Sequence, residues 1–575
     1  MEKIETTEFS HFLLASQFCA ISYQSSSSSQ SFRKMKFKYL VLVSILIVAF
    51  GVWWGKSKND PLVIQITNGQ LRGKDHDEYY SYESIPYAET PSGKLRFEAP
   101  QPYVRKWHEV FDASVPPKPC MQWDQFQDKP DKLTGIEDCL TVNIYKPKTG
   151  KSNYPVMVYL HGGCFMFGDV NFYHPNYLME NGNIILVKVV YRLGPLGFLS
   201  TEDEVISGNF GLKDQRLALK WLQENIAQFG GDPKKIMLTG FSAGGASTHL
   251  QMLHTQSKGV IKTAVSFSGV ALNPWVINRN ARENAFKLAA VMKCPKTENS
   301  LEIKKCLQQK PAEDIVSSVK HFQNIGYNPF TTFGPVVEHE KAPQAFLTQH
   351  PRDIIKSGNF NHIPYLAAVT AEDGGYNAAE LLQINPKTGQ EYIYLLNDHW
   401  PDLAAKNLFL NNFKDHPVEY AKALREKYMG DKKFSVENYL ELQKMYTDVL
   451  FKDGLVETLQ LHSQHSKTPI FSYVYDNPAD ESAGVALSGR KDIKFGTNHL
   501  DDLSLIMHYP IRSAPRPDEK IISKKFIDML VNFVETEKLA FGDCEFEKNN
   551  ANNADNGDGV KILWIGKDKC KTIVE

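Results

Sequence analysis

The sequence has no excess of charge of either sign. Its 575 residues carry 65 Lys and Arg against 66 Asp and Glu, for a formal net charge of -1. So balanced a chain has no electrostatic footprint for nucleic acid or an acidic membrane surface, and its expected partner is a small or neutral molecule. Cysteine is sparse, with eight residues at 19, 120, 139, 164, 294, 306, 544 and 570, and no two stand as Cys-x-x-Cys. That spacing argues against zinc or dithiol redox chemistry, so no metal and no cofactor are expected. Asn-x-Ser/Thr sequons are absent, which removes N-linked glycosylation. A repeat of fixed period is missing too, which excludes a solenoid or propeller.

The composition is that of an ordinary globular protein, 42% hydrophobic and 23% charged. Cys120 with Cys139 and Cys294 with Cys306 are close in sequence, as expected for disulfides that close short loops in an oxidising compartment. The N-terminal region agrees with export. Residues 1–34 are polar and serine-rich, with Ser25 to Ser29 in a row, and form an expected disordered or non-native leader. Arg33, Lys34, Lys36 and Lys38 then precede an apolar run from Tyr39 to Gly55. The run falls slightly short of the ~20 residues of a spanning helix and also fits the core of a signal peptide. Residues 35–55 therefore form either a cleaved secretory signal starting at Met35 or an uncleaved single-pass membrane anchor, and both place the rest of the chain outside the cytosol. The chain is expected to be secreted, or anchored with its main domain extracellular or luminal.

From residue 56 to about 545 there is no break in composition, and one domain is expected. A flexible C-terminal tail over 546–575 is expected from the Asn, Asp and Gly between Lys548 and Gly559. Leu62 to Leu71 suggests a strand and turn, and residues 85–97 a Pro-rich irregular stretch. Buried strands are predicted at Val156–Leu160 and Ile184–Tyr191, where apolar residues run almost without interruption. Leu219, Leu222, Ile226 and Phe229 mark one face of an amphipathic helix over Asp214–Phe229, which Gly230-Gly231 ends. Further strands are predicted at Tyr365–Val369 and Pro469–Tyr475. Strands alternating with helices imply an α/β fold with a central, mostly parallel twisted sheet flanked by helices.

The most informative stretch is Ile236-Met237-Leu238-Thr239-Gly240-Phe241-Ser242-Ala243-Gly244-Gly245-Ala246. An apolar strand ends in Gly-x-Ser-x-Gly and passes into a helix, the pattern of a nucleophile elbow, with Ser242 expected to be exposed at the turn. A serine hydroxyl needs a base, and the base needs an acid to fix its tautomer. Candidates in the order Ser, acid, His are Glu372 or Asp373, just after a predicted strand, and His499 in a loop. Solvated loop charges are the plain alternative for all three. His161-Gly162-Gly163-Cys164, after a buried strand, could supply N–H donors for an oxyanion, or be an ordinary glycine turn.

Several longer motifs carry a resemblance: Glu137-Asp138-Cys139-Leu140-Thr141-Val142-Asn143, Tyr191-Arg192-Leu193-Gly194-Pro195-Leu196-Gly197-Phe198, and the stretch from Gly208-Asn209-Phe210-Gly211 through Phe229-Gly230-Gly231-Asp232-Pro233 to Ser242. Over roughly residues 62–540 the chain resembles the type-B carboxylesterase/lipase family of cholinesterase-like α/β-hydrolases, most closely its insect-type carboxylesterases. The resemblance implies a serine esterase with Ser242 as nucleophile, His499 as base and Asp373 as acid, Glu372 being one loop residue away. It implies an oxyanion hole from the N–H groups of Gly163, Cys164 and Ala243. It also implies the pairs Cys120–Cys139 and Cys294–Cys306, with Cys544–Cys570 a weaker match.

The departures bear on substrate. Cys164 replaces a usual glycine, and a positive φ there would cost about 1 to 2 kcal/mol. Phe241 stands where cholinesterases carry Glu and juvenile hormone esterases typically Gln, and no choline-binding Trp is evident between Cys120 and Cys139. A quaternary ammonium substrate is not expected; a small apolar ester is. Phe267 replaces a common Gln before Ser268, which is expected in the core. The rival expectation is an inactive adhesion or hydrophobic-ligand-binding protein of the same fold at the cell surface. A monomer or homodimer is expected.

Overall fold

In the computed structural model, residues 60–126, 131–509, 516–550 and 559–575 are described. The expected leader and the signal or anchor segment lie outside them. An eleven-stranded sheet organises the rest. Its strands, numbered in chain order, are β1 (Lys74–Asp75), β2 (Tyr79–Pro86), β3 (Thr141–Pro147), β4 (Tyr154–Leu160), β5 (Ile185–Val189), β6 (Gly231–Phe241), β7 (Thr263–Phe267), β8 (Tyr365–Thr370), β9 (Ile470–Asp476), β10 (Lys561–Gly566) and β11 (Cys570–Val574). The spatial order is β11-β10-β9-β8-β7-β6-β4-β5-β3-β2-β1. The strands from β10 across to β5 are mutually parallel, and antiparallel strands border them on both sides.

The apolar runs of the central strands follow from burial of both sheet faces. On β4, Val156, Val158 and Leu160 face one core and Met157 and Tyr159 the other, as the two-residue period of a strand requires. The first core receives Leu219, Leu222, Ile226 and Phe229, the face predicted for the amphipathic helix. That helix, α1 (Phe210–Asn225), starts earlier than predicted and ends in a 3-10 turn, Ile226–Phe229. Asp214, the expected start, is instead buried inside it and binds Arg192, with Arg192 Nη2 donating to Asp214 Oδ1 at 2.7 Å and Nε to Oδ2 at 2.8 Å. The second core receives Phe526, Leu530 and Phe533 from the long helix Pro517–Thr536.

Two expectations need correction. Ile85 and Pro86 are not irregular but end β2, which pairs with β3 through a register shift after Tyr82. The tail expected to be flexible over 546–575 instead supplies β10 and β11. Ile562, Leu563 and Ile565 of β10 are buried, and the unbroken apolar run Ile562-Leu563-Trp564-Ile565 is the pattern of a strand covered on both faces. Leu62 to Glu575 form one compact unit, so the domain runs past residue 545. Residues 551–558, the centre of the Asn- and Asp-rich run, lie outside the described residues. Among the described residues no helix is long and apolar enough to cross a membrane.

Disulfides join Cys120 to Cys139, Cys294 to Cys306 and Cys544 to Cys570, while Cys164 is unpaired and buried. Closing a loop the length of 120–139 contributes about 3 kcal/mol by restricting the unfolded chain. The same loop carries Phe126, which reaches the site described next.

Candidate active site

β6 ends at Phe241, and the next helix, α2 (Ala243–Leu253), begins one residue after Ser242. Ser242 occupies the reversal with φ 56° and ψ -120°, a conformation disfavoured for a residue with a Cβ. The surrounding packing holds it there. Ser242 N donates to Phe267 O at 2.8 Å, and Ser242 O accepts from Ala246 N at 2.9 Å. The glycines of the motif are required by close approach: a Cβ on Gly240 would lie 2.1 Å from Gly244 O, and one on Gly244 2.0 Å from Leu160 O. Ser242 is exposed not to bulk solvent, as expected, but to an internal recess, its own accessibility being 6%.

Asp373 follows β8, and its carboxylate is held from both sides. Oδ2 accepts from Thr370 N at 3.1 Å, and Oδ1 accepts from His499 Nδ1 at 2.5 Å. This bond puts the proton of neutral His499 on Nδ1 and leaves Nε2 free to accept. The imidazole is enclosed by Phe241, Phe451 and Tyr376, with ring centroids 4.4, 5.0 and 5.5 Å away. Glu372, left open beside Asp373 in the sequence, points elsewhere: its Oε2 accepts from Thr497 N at 2.7 Å, and burial raises its pKa above the usual range.

His161, Gly162, Gly163 and Cys164 follow the end of β4. Gly163 has φ 106°, and a Cβ on it would lie 1.9 Å from Phe167 O. Cys164 and Phe165 both take positive φ, 59° and 61°. The turn is tied by Met166 N and Phe167 N, each donating to Gly163 O at 2.9 Å. No backbone hydrogen bond among the described residues takes the N–H of Gly163, Cys164 or Ala243. His161 stacks on Tyr191, and its Nδ1 donates to Gly162 O at 2.8 Å. Burial lowers its pKa to about 4, so it is neutral at pH 7.

Gly163, Cys164, Ser242 and His499 line one recess with a cavity volume of about 50 Å³. Its walls include Phe126, Phe167, Tyr173, Tyr376, Leu500 and Tyr509. None of these six is singled out by the sequence: they come from segments far apart in the chain, Tyr376 from the short helix Gly375–Ala379 and the others from loops, and aromatic residues are common throughout it. Ser268, expected in the core, is fully buried beside the elbow. Behind the recess wall, Asp502 accepts from Tyr473 Oη at 2.7 Å, and burial first, then the nearby Asp373 charge, raise its pKa to about 6. Among the described residues no group of His, Cys, Asp and Glu could hold a metal ion.

A parallel sheet ending in a strained Ser turn, with an Asp–His pair at the ends of later strands, defines an α/β-hydrolase. A family model described as the carboxylesterase family matches residues 60–560. Esterase P of Drosophila melanogaster is 50% identical over 542 residues, covering 93% of this chain and 98% of its own. Esterase-5A of Drosophila miranda is 48% identical over 542 residues, covering 93% and 97%. The crystal structure of juvenile hormone esterase from Manduca sexta, with OTFP covalently attached, shares the fold at a TM-score of 0.76 and 24% identity, covering 89% of this chain and 96% of that one. The chain belongs to the carboxylesterase family and is a carboxylic ester hydrolase.

Proposed function

We propose that the protein hydrolyses small apolar carboxylic esters through an acyl-enzyme formed on Ser242. Ser242 Oγ attacks the ester carbonyl carbon while His499 Nε2 accepts its proton. Asp373 holds the imidazole by Nδ1 and stabilises the imidazolium that forms. The oxygen of the tetrahedral intermediate takes hydrogen bonds from the N–H groups of Gly163, Cys164 and Ala243, each worth about 2.7 to 4 kcal/mol of transition-state stabilisation. His499 returns the proton to the departing alkoxide, the alcohol leaves, and water repeats the sequence on the acyl-enzyme to release the acid.

The observation that carries this reading is the bond between His499 and Asp373 in a recess that Ser242 also lines. The substrate class follows from the walls: eight apolar or aromatic side chains and no Asp, Glu, Lys or Arg. A charged acyl or alcohol group would lose its hydration there without a partner. Three disulfides support secretion, since such bonds persist in oxidising compartments. The test is hydrolysis of short and medium p-nitrophenyl esters, compared with a cationic choline ester. Turnover of the neutral esters that disappears in Ser242→Ala supports the proposal. Turnover that survives the substitution, or a preference for the choline ester, overturns it.

A further inference from the structure

α1 buries Leu219 and Leu222 against the sheet. Its opposite side carries Lys213, Arg216, Leu217 and Lys220, spaced as one face of a helix. That side forms a wall of a groove of about 650 Å³, completed by Val260 and Phe346, and the groove shares no lining residue with the recess at Ser242. The volume is in the range of small-molecule sites.

The groove is cationic in a protein that is otherwise balanced. No Asp or Glu lines it, although the chain as a whole has one more acidic residue than basic. Lys213 is neutralised by buried Glu338, whose Oε1 accepts from Nζ at 2.5 Å. Arg216 and Lys220 have no such counterpart: neither is in an ion pair among the described residues. The Arg216 guanidinium donates only to neutral acceptors, Gln256 O at 3.2 Å and Ser257 Oγ at 3.5 Å. These bonds fix the half-buried guanidinium at the groove without neutralising it. Two cations one helical turn apart repel each other, and an anion between them removes that repulsion. The rest of the lining mixes the apolar Leu217, Val260 and Phe346 with the neutral polar Gln101, Gln223 and Gln344, and His254 packs edge-on against the Phe346 ring at 4.6 Å. Burial, and then Arg216, push His254 down to about 4, so it is neutral at pH 7 and adds no charge.

We propose that this groove is a second binding site, separate from the ester-cleaving recess, for a carboxylate bearing a short apolar chain. The carboxylate bridges Arg216 and Lys220, and the chain lies along Leu217, Val260 and Phe346. The test is calorimetric titration of the protein with octanoate, with acetate and octanol as partial probes. One equivalent of octanoate is expected to bind more tightly than either. Arg216→Gln and Lys220→Gln should each weaken it by about tenfold, the loss of one charge-assisted bond, with p-nitrophenyl ester hydrolysis unchanged. Should Arg216→Gln fail to fold, Lys220→Glu, at an exposed position, reads the same contact. Octanoate that does not bind, that ignores these substitutions, or that acetate or octanol equals in affinity overturns the proposal.

Discussion

Around Ser242, Gly162, Gly163, Gly240 and Gly244 lie where one backbone segment passes close to another, while Asp373, Phe241, Tyr376 and Phe451 surround His499 with side chains. On the first side the geometry is made by backbone passing backbone so closely that a Cβ would fall within 2.1 Å of a carbonyl oxygen at Gly163, Gly240 and Gly244. On the second it is made by a 2.5 Å hydrogen bond and by rings packed at a tilt around an imidazole. The difference separates two kinds of damage. A substitution on the glycine side changes the path of the chain and so the fold; one on the side-chain side leaves the chain in place and removes a chemical group.

The largest effect is expected at the residue between the two. Ser242→Ala should lower kcat for p-nitrophenyl esters by about 10⁶-fold with an unchanged melting temperature, as a steady-state assay beside a circular dichroism melt would show. Next comes the side-chain flank: Asp373→Asn should cost about 10⁴-fold in kcat, because the amide no longer fixes the His499 tautomer. Its melting temperature should again be near wild type; a large fall there would make the Asp–His pair structural and erase the contrast.

On the glycine flank, Gly244→Ala is expected to cost about 3 kcal/mol of stability, because the methyl meets the fixed carbonyl of Leu160 rather than a movable side chain. A denaturant titration measures this, and a stable but inactive Gly244→Ala would show that the elbow can yield. The smallest effect is a pH dependence from His161. Its folded pKa, about 4, lies below the ordinary 6.5. The unfolded chain therefore takes up the proton first, and the stability His161 contributes is complete above about pH 6.5 and is lost as pH falls toward 4. Relative to wild type, His161→Phe should lose about 2 kcal/mol less between pH 7.5 and 5. Parallel denaturation curves for the two proteins would remove the glycine turn from any acid sensitivity.

The same contrast explains what could be foreseen. The elbow was legible at Gly240, Ser242 and Gly244 because close backbone approach requires glycine and so writes itself into the sequence. The helix face at Leu219, Leu222, Ile226 and Phe229 was legible through its period, and the central strands through their unbroken apolar runs. His499 was one of 17 histidines, and only family resemblance distinguished it, since its place depends on Asp373, 126 residues earlier. The choice between Glu372 and Asp373 could not be read from adjacent carboxylates; the structure separates them because one bonds Thr497 N and the other His499. Tyr173, Tyr376 and Tyr509 line the recess without leaving any local pattern. The tail was not legible as a strand because the apolar run of β10, Ile562 to Ile565, is only four residues long and follows the polar residues 551–558.

The placement of β10 also bears on how the protein is made. β9 needs β10 as its parallel neighbour, with Tyr473 to Asp476 in register with Leu563 to Gly566, yet some eighty residues of synthesis separate the two strands. Until then the nascent chain presents β9 as an open edge with unpaired N–H and C=O groups, the kind of surface that recruits other chains. A ribosome that stops before residue 561 would release a polypeptide with Ser242, Asp373 and His499 all present and that edge uncovered. For such a product the foreseeable fate is clumping or disposal by quality control, and a fusion placed at the C-terminus has to leave β10 free to dock.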